Sequence, residues 1–146
     1  HCRTNYKYCI RPNLEADDAI GIDATMFNNP ENIVVSPDKD MKQIPSVLWN
    51  MTDDVVEITV EDGDKWHLIQ TLSGDPTDGY SGCPGIGVKR ATELLDRNEN
   101  KWEAVCKAFT DRGLSDDDAL LNARLAKILQ HRDYDFTTEK PILWNP

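Results

Sequence analysis

Seven acidic residues fall into three short segments: Glu15, Asp17 and Asp18; Asp38 and Asp40; Asp75 and Asp78. Asp23, Asp53 and Asp54 are looser neighbours. Each segment lies where an apolar run ends or a helical pattern begins, so folding draws like charges toward one core. Carboxylates gathered in this way repel one another strongly unless divalent cations neutralise them. The pattern therefore predicts a fold built to hold hard metal ions.

Length and charge bound what such a fold can be. With 146 residues the chain supports one modest core, or a small α/β layer with a helical appendage. A hydrophobic content of 39%, with four Trp and three Phe, indicates a folded chain rather than a disordered one. No apolar run approaches the ~20 residues of a membrane span, and no leader pattern precedes the first helix. The expectation is an intracellular, cytoplasmic protein with no membrane partner. Cys2, Cys9, Cys83 and Cys106 form no CxxC pair and have no histidine at zinc-ligand spacing, so they read as reduced, mostly buried thiols.

The formal charge of −10 argues against a nucleic-acid partner if it is counted over the whole surface. Setting the seven clustered acids aside takes it to −3, and two bound divalent ions would bring the clusters themselves from −7 to near −3. Much of the acidity then belongs to one site. The run Asp116, Asp117 and Asp118 after Ser115 reads instead as a helix N-terminus, where the dipole favours negative charge.

Along the chain, residues 6–10 read as a strand and 14–27 as a helix opened by Asn13 and acids. Ile33, Val34 and Val35 form a second, buried strand, residues 38–44 a short helix or turn, and 47–51 and 55–60 two more strands. Strand, helix, strand is the rhythm of a parallel sheet, whose ligand-binding residues gather at the carboxyl ends of strands. The first two acidic clusters sit at such ends. From about residue 61 the pattern becomes helical. Its apolar stripes are Trp66, Ile69 and Leu72; Ala91, Leu94 and Leu95; Trp102, Val105, Cys106 and Phe109; and Leu120, Leu121, Leu125, Ile128 and Leu129. His67, beside Trp66, reads as a packed or surface residue rather than a general base. There is no internal repeat, low-complexity tract or flexible linker.

Each cluster has a simpler rival. Glu15 and Asp18 share a helical face with Asp17 beside them, and capping explains one of the three. Asp38 and Asp40, two apart in an extended stretch, point the same way. An EF-hand fails there, because Gln43 and Trp49 stand where the loop needs Gly and a bidentate Glu. Asp62, Gly63 and Asp64 fail likewise at Ser73 and read as a turn capping the next helix. The third segment, GDPTDGYSGCPGIGVKR over residues 74–90, is the most specific. Two acids are followed by Gly82, Gly85 and Gly87 and then a helix opening with Val88, Lys89 and Arg90. Glycines let backbone N–H groups approach a phosphate, and a helix N-terminus favours the anion. An ordinary glycine-turned helical hairpin is the rival, and the adjacent Asp75 and Asp78 favour the phosphate reading.

The order LEADD, VVSPDKDMKQIP, LSGDPTDGYSGCPGIGVKRA resembles the 5′-nuclease superfamily of flap endonucleases and polymerase-associated 5′ nucleases. WHLIQTLSGDPTDGYSG and the closing ARLAKILQHRDYDFTTEKPILWNP are similar to the 5′→3′ exonucleases of short-tailed double-stranded DNA phages. The resemblance implies an α/β fold: a partial, parallel-sheet PIN-like nuclease core over residues 1–60, then an all-helical region over 61–146. Within the latter, residues 81–97 would form a helix–three-turn–helix DNA-binding motif. It further implies that Glu15, Asp17, Asp18, Asp38, Asp40, Asp75 and Asp78 surround two divalent ions, Mg²⁺ or Mn²⁺, and do the catalysis. Ser81, Gly82, Gly85, Ile86, Gly87, Lys89 and Arg90 would grip duplex DNA, often with a monovalent cation at the hairpin. The implied activity is a metal-dependent 5′→3′ exodeoxyribonuclease or flap-type 5′ nuclease, acting in phage DNA replication, primer removal or recombination. Its substrate would be double-stranded DNA with a 5′ end, nick or flap, and its products 5′-phosphorylated.

Carboxylate-only ligation agrees with Mg²⁺ or Mn²⁺ rather than zinc, and two ions ~4 Å apart can activate water, neutralise the phosphate and stabilise the leaving oxygen. The family pattern also has amino-terminal strands with two further metal-binding acids and a helical arch, none of which precedes His1. The chain therefore reads as part of a longer enzyme, with its missing amino-terminal part as a partner and impaired cleavage on its own. Two other classes fit the acids: a catalytically silent DNA-structure-binding module and a PIN-type ribonuclease.

Overall fold

The computed structural model describes residues 9–26, 32–52 and 55–146. Helix α1 (Ala16–Thr25) is followed by β1 (Ile33–Val35), a 3₁₀ turn (Lys39–Gln43), β2 (Ser46–Trp49) and β3 (Val55–Ile58). Four helices follow: α2 (Val60–Ser73), α3 (Val88–Asp96), α4 (Lys101–Thr110) and α5 (Asp116–Ala126). A second 3₁₀ turn (His131–Asp133) leads into a small hairpin of β4 (Tyr134–Asp135) and β5 (Lys140–Pro141). The chain is thus mixed α/β with a small sheet and a helical remainder. Among the described residues no helix is long and apolar enough to cross a membrane.

The sheet has the order β1-β2-β3 and is mixed rather than parallel throughout. β1 runs parallel to β2, with Val34 opposite Leu48, because residues 36–45 cross over through the 3₁₀ turn. β3 turns back antiparallel on β2, Leu48 opposite Val56, since the short connection between them allows a reversal and no crossover. Ile33 and Val35 are exposed and only Val34 is buried, so β1 is not the fully buried strand its composition predicts. Of the strand expected over 6–10, residues 6–8 lie outside the described residues, and 9–10 are not extended into a strand.

Three clusters of buried residues organise the described part of the chain. Val34, Met41, Ile44 and Leu48 pack under the sheet and are closed by Ile128, while Ile22 packs with Leu129 and Tyr134. The tail after α5 therefore returns across the α/β half. Gly21 makes this possible: a Cβ there would sit 2.2 Å from the Leu129 carbonyl oxygen. The larger core joins α2 through α5 by Leu68, Ile69, Leu72, Cys83, Ile86, Ala91, Leu95, Val105, Ala108, Phe109 and Ala119.

The helix ends follow their capping chemistry. Thr59 and Asp62 form a reciprocal capping box on α2, so residues 62–64 lie inside the helix instead of in a turn before it. Ser115 and Asp118 do the same on α5, where the acid run Asp116–Asp118 stands at the N-terminus as expected. Asn13 does not open α1; it sits in a turn at φ 63°, and the N-cap position is Glu15. The stripe predicted for α5 is displaced. Its buried face is Ala119, Asn122, Ala123 and Ala126, while Leu121 and Leu125 are more than half exposed. The small residues let α5 approach α2 closely, and the leucines point away. Among the described residues, Cys83 is buried, Cys106 half-buried and Cys9 exposed, and all three are free, while Cys2 lies outside the described residues.

Candidate metal centre

The second acidic segment is organised by its own turn. Asp38 caps the 3₁₀ turn, its Oδ1 accepting the Asp40 N–H at 2.9 Å, and its own N–H is donated to Ser36 Oγ at 3.1 Å. Asp40 consequently lies inside the turn, half-buried, and not in the extended stretch that the spacing implies.

The third segment is a closed loop after α2. The Asp75 N–H donates to the Tyr80 carbonyl at 3.0 Å and the Tyr80 N–H returns to Asp75 at 3.2 Å, while the Asp78 N–H reaches the Asp75 carbonyl at 3.1 Å. Thr77 N–H fixes Asp75 Oδ1 at 3.0 Å. This loop presents both acids toward the turn carrying Asp40. One carboxylate oxygen each from Asp40, Asp75 and Asp78 lies within 4.8 Å of the others.

The charges register the crowding. Burial and then Asp38 hold the Asp40 carboxyl above its ordinary range, with Asp78 and Asp75 adding to the effect and Lys39 opposing it. On α1, Asp17 is raised by burial, then by Asp38, Glu15, Asp18 and Asp78, so it lies within electrostatic range of the same cluster on a third element. Asp75 is lowered, first by the hydrogen bond from Lys39, whose Nζ stands 3.1 Å from Asp75 Oδ2.

Asp18 and Glu15 are placed differently. Asp18 Oδ1 accepts the Leu129 N–H at 2.9 Å, which ties α1 to the returning tail, and burial raises its carboxyl. Glu15 is exposed at the N-cap of α1 and makes no side-chain cap bond. The structure thus gathers Asp40, Asp75 and Asp78 most tightly, sets Asp17 and Asp38 within electrostatic reach, and leaves Glu15 and Asp18 on the flank.

The donor set fits a hard divalent cation. It consists of carboxylate oxygens from separate elements, and a lysine ammonium already occupies one edge as a positive stand-in. Lys39, Gln70 and Tyr80 belong to this neighbourhood although sequence patterning does not single them out. Gln70 Nε2 donates to Asp40 Oδ1 at 2.7 Å. Tyr80 is buried beneath the acids, and burial followed by Asp40, Asp75 and Asp78 raises its phenol. The signals for them were a lysine between two acids in DKD and a glutamine interrupting the apolar stripe of α2.

The glycine segment continues directly from this loop. Gly74 and Gly82 cross backbone to backbone, at φ 69° and 65°. A Cβ on Gly82 would lie 2.3 Å from the Gly74 nitrogen, so neither position takes a side chain. Gly82 N–H donates to Asn122 Oδ1 at 2.9 Å and Cys83 N–H to the Leu72 carbonyl at 2.8 Å, locking the hairpin onto α2 and α5. Ile86 is buried, whereas Ser81, Gly85, Gly87, Lys89 and Arg90 are exposed. Gly87 is the N-cap of α3 and supplies no side chain to cover it. Arg90 Nη1 donates to the Gly85 carbonyl at 2.9 Å, and Arg112 Nε to that of Pro84 at 2.6 Å. The exposed surface here is glycine backbone and a helix N-terminus flanked by cationic groups, which suits an anion.

No protein-family model matches the chain. It is 31% identical over 175 aligned positions to the exonuclease of Escherichia phage T7, covering 95% of this chain and 58% of that protein. To the exodeoxyribonuclease of Enterobacteria phage T3 it is 32% identical over 175 positions, with the same coverage. A 5′-3′ exonuclease of Mycobacterium tuberculosis H37Rv is 32% identical over 128 positions, covering 69% of this chain and 38% of that protein. The chain spans 58% of the length of the two phage relatives.

Proposed function

This chain belongs to the 5′-nuclease superfamily, and on that footing we propose that it forms part of a metal-dependent 5′→3′ exodeoxyribonuclease. The observation that carries the reading is the convergence of Asp40, Asp75 and Asp78 from two separate segments, with Asp17 and Asp38 in reach. Asp40, Asp75 and Asp78 would hold one Mg²⁺ or Mn²⁺. Asp17 and Asp38, with Glu15 and Asp18 behind them, extend the acidic ring for a second. Divalent ions, when bound, supply charge neutralisation at the phosphate and activation of water.

The chain's own residues do the rest. In the proposed reaction a water oxygen gives up a proton and bonds to phosphorus, the phosphorus–O3′ bond breaks, the O3′ leaving group takes up a proton to become the 3′-hydroxyl of the released 5′-terminal fragment, and the scissile phosphate stays on the 5′ carbon of the remaining strand. Residues 81–97 act as the helix–three-turn–helix grip. The exposed backbone at Ser81, Gly85 and Gly87 would meet the phosphates of duplex DNA, Gly82 and Ile86 shape the hairpin that presents it, a monovalent cation would be held at the same hairpin, and Lys89 and Arg90 add charge without reading bases. The partial PIN-like core over 1–60 and the helical region over 61–146 thus share the chemistry, Asp40 coming from the first and Asp75 and Asp78 from the second, while the grip lies in the second alone, and the substrate is a duplex with a 5′ end, nick or flap.

A 5′-labelled duplex incubated with and without Mg²⁺ tests this. The expected result is metal-dependent release of short 5′-phosphorylated products, weak for the chain alone and increased when the remaining length of its relatives is supplied. Asp78→Asn should remove the cleavage and retain duplex binding. Cleavage that survives chelation of divalent ions, or that Asp78→Asn leaves intact, overturns the proposal.

A further inference from the structure

Gln43 and Gln70 are buried polar side chains, 1% and 5% exposed, lying behind the acidic cluster. Gln70 Nε2 donates to Asp40 Oδ1 at 2.7 Å, and Gln70 Oε1 accepts from Gln43 Nε2, also at 2.7 Å. The polarity of this chain of amides is not free. Gln43 Nε2 donates to the Ala126 carbonyl at 2.6 Å, and Gln43 Oε1 accepts the Ile128 N–H at 3.1 Å.

A backbone carbonyl can only accept and a backbone N–H can only donate. The two main-chain groups therefore decide which end of Gln43 is oxygen, Gln43 decides the same for Gln70, and Gln70 is left to offer Asp40 an N–H. A reversed Gln70 would set an amide oxygen against a carboxylate at 2.7 Å, and would leave Gln43 with no acceptor for its second N–H. The same stretch also reaches the first acidic segment, since Leu129 N–H holds Asp18.

Resting on the metal-centre reading above, we propose that Gln70 is a positioning residue for the cation site. Its amide, polarised through Gln43 by the main chain at Ala126 and Ile128, pins one oxygen of Asp40 and so keeps that carboxylate facing Asp75 and Asp78. Partners of metal-ligating carboxylates typically account for ~10- to 100-fold of metal affinity. The main chain at the end of α5 and just after it, far away in sequence, then acts on cation binding through two side-chain amides.

The test measures Mn²⁺ binding to the full chain, with the metal alone, from the electron paramagnetic resonance signal of the free ion, beside thermal melting in EDTA. Gln70→Leu should weaken binding about 10-fold. Gln43→Leu should weaken it several-fold although residue 43 does not touch Asp40. Gln130→Leu is the control: it removes the 3.2 Å bond to the Gln43 carbonyl in the same buried layer, and should lower the melting temperature while leaving Mn²⁺ affinity unchanged. A Gln70→Leu chain that binds as tightly as the parent overturns the proposal, as does a Gln130→Leu chain weakened to the same extent. Should the Gln70 variant not fold, the side-chain amide resonances of Gln70 in the parent give the answer: they should shift on saturation with Mg²⁺, and stationary resonances overturn it. A parent chain that binds no Mn²⁺ fails at the metal centre itself, which separates that outcome from a failure of the relay.

Discussion

Lys39 stands between Asp38 and Asp40 in sequence, yet its ammonium leaves both and reaches Asp75, Nζ to Oδ2 at 3.1 Å. The ion pair crosses from the 3₁₀ turn to the loop after α2 and neutralises part of the cluster. A divalent cation at the same carboxylates competes with it. Lys39→Met should therefore lower the melting temperature in EDTA, because the acids lose their counter-charge, and enlarge the rise produced by Mg²⁺. The pair is largely exposed on the lysine side, so the gain in Mg²⁺ affinity should be a few-fold. Melting curves with and without Mg²⁺ check it, and an unchanged or smaller Mg²⁺ response contradicts the competition.

The glycines of the hairpin separate structure from binding. Gly82→Ala drives a Cβ into the Gly74 nitrogen at a backbone angle of φ 65°, so it should destabilise the chain by roughly 1–3 kcal/mol or more. At Gly87 nothing lies within 4 Å of an added Cβ and φ is −96°, so Gly87→Ala should keep the melting temperature. It should nonetheless weaken duplex binding, because the methyl group stands over the N-terminus of α3. Equal effects of the two substitutions on stability would show that the hairpin is not closed as described.

Local chemistry was legible where it depends on neighbours in sequence. The acid run after Ser115, the short helix or turn over 38–44 and the stripes of α2 and α4 follow from local pattern alone, whereas the place of Asp40 inside that turn rather than in an extended stretch does not. What escaped depends on distant contacts. Leu121 and Leu125 face outward because the alanines of α5 are what fit against α2, a fact about the partner helix. The antiparallel β3 follows from a short connection, not from the composition of the strand. Spacing singled out seven acids as candidates, but not that Asp40, Asp75 and Asp78 are the three that converge most tightly. Asp18 turns to Leu129 because the tail returns over Gly21, and Gln70 gains its place only through Gln43 and the main chain beyond α5.

His67 should make the chain acid-sensitive. Its ring is 2% exposed, Nε2 lies 2.7 Å from the Ala123 carbonyl, and Trp144 packs edge-on at 5.0 Å. Burial, then the nearby Lys127 charge, lowers its pKa from 6.5 to about 3. Between those values the unfolded chain binds a proton that the native chain refuses. Stability from this group is therefore fully present above pH 6.5 and is lost as pH falls toward 3, at up to about 1.4 kcal/mol per pH unit. Urea titrations of the parent and of His67→Phe check it. The variant should be less stable at neutral pH, having left the Ala123 carbonyl unpaired, yet should lose less stability on acidification. Parallel curves would contradict the assignment.

Grip and chemistry should come apart at Lys89 and Asp40. Both Lys89 and Arg90 are exposed in the first turn of α3, but Arg90 also holds the Gly85 carbonyl, so a loss at Arg90 mixes charge with hairpin geometry. Lys89→Ala is the cleaner probe. If its ammonium neutralises one phosphate, duplex affinity should fall and the slope of log affinity against log salt should shrink by about 0.9, with no change in melting temperature. The sequence of the duplex should not matter, since a phosphate contact carries no base information. Asp40→Asn should give the converse, abolishing Mg²⁺-dependent cleavage while leaving affinity and salt slope in place or slightly raised, because one negative charge has gone. A Lys89→Ala chain with an unaltered salt slope would remove the hairpin from the DNA path. Cleavage that persists in Asp40→Asn would remove the acidic cluster from the reaction.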